Sequence, residues 1–396
     1  MKKILVIGAG FLQSFIIQRA VELGYETYAV DGNPSAAGFA FADHYKTINI
    51  VDAKACLEYA KDNHIDGVFT AATDYGVLSA SIIAQELGLR GIKPETANLI
   101  KNKYQVRKCL FDHQVDDTEQ TYLVDSDCDI EELSNKITYP VMVKPCDGSG
   151  SRGASRVDHA ETFAAACNYA MNSSITHRAV VETFIFGKEY GVESFVENGN
   201  IHILAVMKKW MTAPPYYAEL GHAIPSGLDM ATENKIKQCV EKALTTLGVQ
   251  FGSVNMDVLV TDAGKIHIID IGARMGGNLI GSHIIPLGTG IDYMGNIIKA
   301  SVGDATDFTP HGGNPVTTRL LALTPGIVKE LPDFEKIQKD YGVMIEHHLC
   351  IGDKITQYQT NLDGCGYVIA CEKEPFLSTE KAESVKNLID KAIVRI

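Results

Sequence analysis

Val254-Asn-Met-Asp-Val-Leu-Val-Thr-Asp-Ala-Gly-Lys-Ile-His-Ile-Ile-Asp-Ile-Gly-Ala-Arg-Met-Gly-Gly-Asn278 decides how this chain is read. Two runs rich in Val and Ile flank a polar turn containing Gly264, so the stretch predicts a β-hairpin. With a two-residue turn at Ala263-Gly264, Asp262 faces Lys265, and counting outward sets Asp257 directly opposite Asp270. Cross-strand partners have Cβ atoms roughly 4.5–5.5 Å apart, and like charges placed there repel. A cation relieves that repulsion, and two acidic oxygen donors suit Mg²⁺, which takes carboxylates together with substrate phosphates. The alternative is an exposed hairpin whose two carboxylates are merely solvated.

Outward from the hairpin, 396 residues exceed what one hydrophobic core organises, so two or three domains are expected. Apolar content of 45% and charged content of 21% are those of an ordinary globular protein. A net charge of −13 argues against a nucleic-acid partner, which needs a basic footprint. It also requires that any anionic ligand be held by a local gathering of cations and backbone N–H groups. The nine Cys are an odd number without a C-x-x-C pair, which fits reduced thiols better than a disulfide framework or a zinc site. The apolar start is strand-sized and interrupted by Gly8 and Gly10, and no apolar run approaches the ~20 residues needed to span a bilayer. A cytoplasmic protein without a membrane partner is the expectation.

Residues 1–95 alternate strand and helix signals: strands at 4–7, 26–30 and 66–70, helices at 11–23, 53–63 and 76–87. That rhythm predicts a parallel sheet covered by helices. Gly8-Ala-Gly10 before a helix, with Asp31 about twenty residues on, are fragments of a dinucleotide fingerprint, but Gln13 stands where its third Gly belongs. NAD binding is therefore the weaker reading beside a tight strand–helix turn. Further on, residues 98–114 read as one helix carrying Lys101, Lys103, Arg107 and Lys108. Residues 139–144 read as a strand running into the Gly/Ser loop 148–153. Residues 208–225 read as a Pro- and Tyr-rich loop, and 311–396 as a small α+β appendage closed by a helix at 379–394.

Three separated features describe one kind of site. Lys144 ends a strand just before Gly148, Ser149, Gly150, Ser151 and Gly153, whose backbone N–H groups can nest phosphates. Lys103 offers a second ammonium, and Arg152 and Arg274 offer forked guanidiniums. Asp257 and Asp270 supply the metal. No Ser-His-Asp or Cys-His order stands out; Cys146 reads as a small filler, and adjacent His347 and His348 face opposite ways on a strand.

In this order the features resemble the ATP-grasp superfamily: Asn102-Lys103, Val143-Lys-Pro-x-Asp-Gly-Ser-Gly-Ser-Arg-Gly153, Val181-Glu-Thr-Phe-Ile185, Gly187-Lys-Glu189, Asp257, and Asp270-Ile-Gly-Ala-Arg274-x-Gly-Gly277. The resemblance covers nearly the whole chain and is nearest the biotin-carboxylase-like and L-amino-acid-ligase-like branch. It implies an α/β and α+β multidomain protein: a Rossmann-like domain (1–98), an ATP-grasp domain (99–310, with a lid at about 112–183) and a small α+β subdomain (311–396). It implies ATP and Mg²⁺ or Mn²⁺ as cofactors, and small-molecule carboxylate and amine partners; such relatives are often homodimers. Lys103 and Lys144 would contact the phosphates, and the backbone at Glu182, Thr183 and Ile185 would recognise adenine. Glu189 would hold the ribose, Asp257 and Asp270 the metal, and Arg274 the transferring phosphoryl group or acylphosphate.

One departure matters. The family often carries Asn two residues after the second acid, where this chain has Gly272. Pairing outward through the hairpin sets Asn255 opposite Gly272, as the expected substitute metal ligand. For the substrate, Trp210, Tyr216 and Tyr217 either wall a pocket or pack between domains. Glu219 or His222 can orient an amine, and Asn278 and Arg319 can hold a carboxylate. The expected activity is joining a carboxylate to an amine through an acylphosphate. The alternatives are a carboxylase or nucleotide-pathway synthetase (like phosphoribosylglycinamide or carbamoyl-phosphate synthetase), or a nucleotide-binding protein without catalysis.

Overall fold

The apolar run of β1 (Lys3–Ile7) pairs in parallel with β2 (Glu26–Asp31) and with a later strand, β4 (Gly67–Thr70). β3 (His44–Thr47) pairs in parallel with β2, completing the order β3-β2-β1-β4. All four β3 residues are exposed, so it has no apolar alternation to betray it in the sequence. The computed structural model describes residues 1–396 apart from Glu119, Ser149, Ser151 and Pro215. Ser149 and Ser151, expected in the phosphate loop, thus lie outside the described residues.

A second sheet, β5-β8-β6-β7, is built from β5 (Thr121–Val124), β6 (Val141–Pro145), β7 (Ser155–Val157) and β8 (Ala179–Thr183). Its apolar face shares a core with Phe163, Cys167 and Ala170 of the helix Phe163–Ser173. This unit falls inside the span expected for a lid.

The third sheet has eight strands and carries the chemistry. β9 (Lys188–Glu197), β10 (Asn200–Met211), β11 (Glu219–Ile224), β12 (Gly252–Val260), β13 (Ile266–Gly272) and β14 (Val316–Leu320) lie in the order β13-β12-β9-β10-β11-β14. Two later strands extend it. β15 (Gly326–Glu330) stands apart, but β16 (Met344–His347) follows beyond β18 (Gly366–Cys371), which pairs with β14; β17 (Lys354–Ile355) and β19 (Val394–Arg395) flank β15 in a small sheet of their own. The segment 311–396 therefore has its own apolar cluster, around Val328, Ile345 and Ile389, yet shares its main sheet with the preceding domain.

Three local differences from the sequence reading shape the site. The helix read over 98–114 is two helices, Pro94–Lys101 and Lys103–Asp112, because Asn102 ends one and caps the other: its Oδ1 accepts from Gln105 N–H (3.1 Å). The loop read over 208–225 is largely strand, since β10 runs on to Met211 and β11 returns from Glu219. Finally, the hairpin turn has three residues: Thr261 N–H donates to Lys265 O (3.0 Å), with Gly264 at φ +75°. An extra residue in β13, Ile269, restores the count, so Asp257 still pairs with Asp270. The pairing was right through two offsets that cancel.

Candidate active site

Register places the acidic residues. In antiparallel pairs the side chains of opposed residues share a face, and alternate residues along a strand share it too. Asp257 opposes Asp270, and Asn255 opposes Gly272 on one side and Glu193 on the other. Glu189, Gly191 and Glu193 on β9 therefore join Asn255, Asp257 and Asp270 on one face. Lys209 and His222, themselves cross-strand partners, extend it. The requirement for a relieving cation is met first by the protein: Lys103 Nζ pairs with Asp270, and Lys209 Nζ lies 2.8 Å from Asp257 Oδ1.

Lys209 is the residue the sequence reading missed. Its side chain is 1% exposed, and its ammonium is ringed by Asp257 (2.8 Å), Glu189 (2.7 Å) and Glu219 (2.8 Å). Burial opposes its charge, but the three carboxylates hold its pKa well above the ordinary lysine value. Burial likewise pushes the Asp257 carboxyl up to about 7, with Lys209 pulling the other way and Glu189 and Glu219 adding to the rise. On this face the five carboxyl groups of Glu189, Glu193, Glu219, Asp257 and Asp270 outnumber the ammonium groups of Lys103 and Lys209, and all the donors are oxygens, the set that Mg²⁺ or Mn²⁺ takes.

The second sheet brings the second ammonium. Lys144 on β6 reaches Ile269 O (3.0 Å), beside Asp270, and pairs with Glu182 Oε1 at 2.5 Å. Burial would raise the pKa of Asp270, but Lys103 and then Lys144 hold it below the usual carboxylate value. Glu182 also takes Arg107 Nε (3.1 Å), whose Nη1 bonds Asp116 (2.9 Å), so the Glu182 carboxylate is committed to structure. Of the backbone expected to meet adenine, Thr183 N–H goes to Gln120 O, while Ile185 N–H has no acceptor among the described residues; between them Phe184 N–H goes to Pro140 O. Lys103 sits at the first position of its helix, where its N–H donates to Cys146 O (2.9 Å) and ties helix to lid loop. In that loop Gly153, at φ +79°, admits no side chain, since a Cβ would lie 2.5 Å from Ser173 Cβ. Cys146 is buried and burial pushes its thiol up to about 11, as suits a filler. Asp116, Asp117 and His267 also gather. However, Asp116 is saturated by Arg107, Thr118 and the Ile268 N–H, and Asp117 pairs with Lys265.

Arg274 leaves β13 toward the first domain, where Nη2 meets Asp74 Oδ2 at 3.1 Å. Its Nε and Nη1 are buried without a partner among the described residues. Burial opposes its charge, but Asp74 and then Glu193 keep it fully protonated. Two buried, unused guanidinium donors call for an anion.

The residues suggested for substrate divide between the two faces. Glu219 is occupied on both oxygens, by Lys209 on one and by Asn278 Nδ2 and Asn361 Nδ2 (3.1 Å) on the other; Tyr367 OH in turn donates to Asn278 Oδ1 (2.9 Å). His222 is fully buried; burial, with Lys209, lowers its pKa to about 4 against Glu219, and its Nδ1 has no partner among the described residues. Trp210 and Arg319 lie on the opposite face, because Trp210 pairs with Gly221 and Gly221 with Arg319, one residue out of phase with Lys209 and His222. There the Arg319 guanidinium stacks 4.4 Å over Trp210 and bonds Glu383 (2.6 Å). The dinucleotide fragment is self-satisfied: Asp31 accepts from Ala9 N–H (2.8 Å) and Asn33 N–H (2.8 Å), and Gln13 donates to Ala71 O.

Residues 137–282 match the ATP-grasp domain. Human carnosine synthase 1 is 24% identical over 331 residues, covering 76% of this chain but only 40% of that protein. The chain thus spans well under half the length of that curated relative. The fold is similar to L-amino acid ligase from Bacillus licheniformis, with a TM-score of 0.83 at 20% identity over 100% of this chain and 98% of that one. It is also similar to the biotin carboxylase domain of Hydrogenobacter thermophilus 2-oxoglutarate carboxylase, solved with MgADP and bicarbonate, with a TM-score of 0.78 at 17% identity over 100% and 90% of the two chains. No helix among the described residues is long and apolar enough to cross a membrane.

Proposed function

On the premise that this chain carries an ATP-grasp domain behind a Rossmann-like one, we propose that it is an ATP-dependent carboxylate–amine ligase acting on an amino acid or similar small acid. The observation that carries this reading is Arg274: a buried guanidinium with two donors unpaired among the described residues, next to a face where carboxyl groups outnumber ammonium groups. A carboxylate in water is a poor electrophile. Its oxygen attacks the γ-phosphorus of ATP, an O–P bond forms as the bond to ADP breaks, and the acylphosphate results. The amine nitrogen then attacks the acyl carbon, phosphate leaves with the C–O bonding pair, and the amine gives up a proton. Phosphoryl transfer of this kind needs mainly positioning and charge stabilisation.

In this reading Lys103 and Lys144 hold the phosphates, with Gly148, Gly150 and Gly153 shaping the loop around them. The free Ile185 N–H and the neighbouring backbone at Glu182 and Thr183 meet adenine, and Glu189 the ribose. Asp257 and Asp270 would hold Mg²⁺ or Mn²⁺, which supplies charge neutralisation on the phosphates. Arg274 stabilises the substrate carboxylate and then the acylphosphate, inside a site shielded from water by the lid. Glu219 orients Asn278 at the rim, and His222 offers an uncharged Nδ1 that accepts a hydrogen bond from an amine.

Hydroxylamine trapping tests this directly. The chain is incubated with ATP, Mg²⁺ and pooled carboxylic acids, and hydroxamates are read by mass spectrometry beside ADP release. One or a few acids should yield hydroxamate with stoichiometric ADP. ADP release stimulated only by bicarbonate would move the reading to a carboxylase, and no ADP with any acid would end it.

A further inference from the structure

We propose that the cation's third protein ligand has moved across the hairpin: Asn255 Oδ1, on β12, takes the role that Gly272 leaves open on β13, and Glu193 is the residue that positions it. The inference rests on the ligase reading above and deepens it. Gly272 leaves room for two neighbouring side-chain ends. A Cβ there would lie 2.9 Å from Asp74 Oδ1 and 3.0 Å from Arg274 Cζ. The Arg274–Asp74 pair, folded back over the strand end, has taken the space of a side chain. An amide ligand can stand on this strand end only if that pair opens.

Asn255 faces Gly272 across the ladder and shares a face with Asp257. On its other side it is paired with Glu193, whose Oε2 accepts from Asn255 Nδ2 at 2.9 Å. Glu193 is 0% exposed, and it also accepts from Gly276 N–H (3.0 Å) and Tyr293 OH (2.7 Å). Glu193 is the acceptor in all three contacts, so the amide atom set against it is the nitrogen. The orientation of the Asn255 amide is thereby set by chemistry, and Oδ1 is turned away from Glu193. That oxygen has no hydrogen-bond partner among the described residues. Amide oxygens are ordinary ligands for hard divalent cations, and a neutral one added here leaves the charge balance of the face unchanged.

Gly276 completes the arrangement. A Cβ at this position would lie 2.8 Å from Glu193 Oε2 and 2.9 Å from Asn255 Nδ2, so a side chain here would displace the ends of both. One buried carboxylate thus holds both the amide that faces the cation and the backbone two residues beyond the guanidinium that faces the anion.

The test is Mn²⁺ binding to the full chain in the presence of ADP, followed by the electron paramagnetic resonance signal of free Mn²⁺. ADP affinity without metal and the melting temperature serve as fold controls. Asn255→Ala should weaken Mn²⁺ binding about tenfold or more, the order seen when groups around a metal are removed, with metal-free ADP affinity within twofold of wild type. The paired variant Asn255→Asp with Glu193→Gln exchanges donor and acceptor while keeping an oxygen toward the cation, and should restore the affinity. Mn²⁺ binding by Asn255→Ala within twofold of wild type overturns the proposal alone. A paired variant no better than Asn255→Ala overturns the positioning role of Glu193. Absence of ADP-dependent Mn²⁺ binding in the wild-type chain overturns the ligase reading, and this inference with it.

Discussion

Lys144 joins the four-stranded sheet of β6 to the acidic sheet through one ammonium group, placed between Glu182 on its own sheet and Ile269 O on the other. Its removal deletes a charge that is already oriented before substrate arrives, the kind of loss that costs about 10²–10³ in rate. Lys144→Ala should therefore lower ADP formation by that factor. Arg107 stays on Glu182, so the far-UV spectrum should be unchanged. Turnover within threefold of wild type would remove Lys144 from the mechanism. Lys144 was readable because a lysine before a Gly/Ser loop is a local pattern. Lys209 was not: nothing in Lys208-Lys-Trp-Met211 tells which of two neighbouring lysines turns inward.

Among the elements, the break at Asn102 does most to aim a side chain. A continuous helix would rotate Lys103 with its neighbours along one axis; the cap restarts the helix and puts Lys103 at its first position, toward Asp270. Asn102→Ala should cost about 1 kcal/mol of stability, as lost N-caps do, and should also weaken ATP binding. A melting curve and a nucleotide titration check both. Lost stability with unchanged ATP affinity would mean that Lys103 is placed by tertiary contacts alone. The hairpin teaches a related lesson, since its turn length was misread and a bulge compensated.

At the scale of the molecule, the first domain is part of the site. Ala72 N–H donates to Met275 O (3.0 Å), Arg19 pairs with Asp292 (2.7 Å), and Asp74 holds Arg274. Asp74→Asn keeps the shape but loosens the guanidinium. It should raise KM for the carboxylate roughly 10–100-fold, the effect of slight misplacement, with ATP affinity unchanged. Equal loss for both substrates would argue for general domain separation instead. The whole molecule also carries a pH dependence through His222 and His283. Burial lowers each to about 4 from an ordinary 6.5, opposed at His222 by Glu219. The unfolded chain binds those protons more readily, so the stability is complete above pH 6.5 and declines as pH falls toward 4, by up to roughly 3 kcal/mol for each group. The melting temperature should fall across that window, and His283→Leu should flatten the fall. An unchanged slope would assign the effect elsewhere.

What the sequence determined by itself was order and opposition. The strand–helix alternation of the first domain, the Gly loop behind Lys144, and Asp257 across from Asp270 all follow from local propensity and a period of two. Tertiary structure alone decided which charges meet. Lys209 among three carboxylates, Arg274 against Asp74, and Glu193 behind Asn255 join residues far apart in the chain. Burial then makes each pairing obligatory, because an ion removed from water must find its partner wherever the fold brings one.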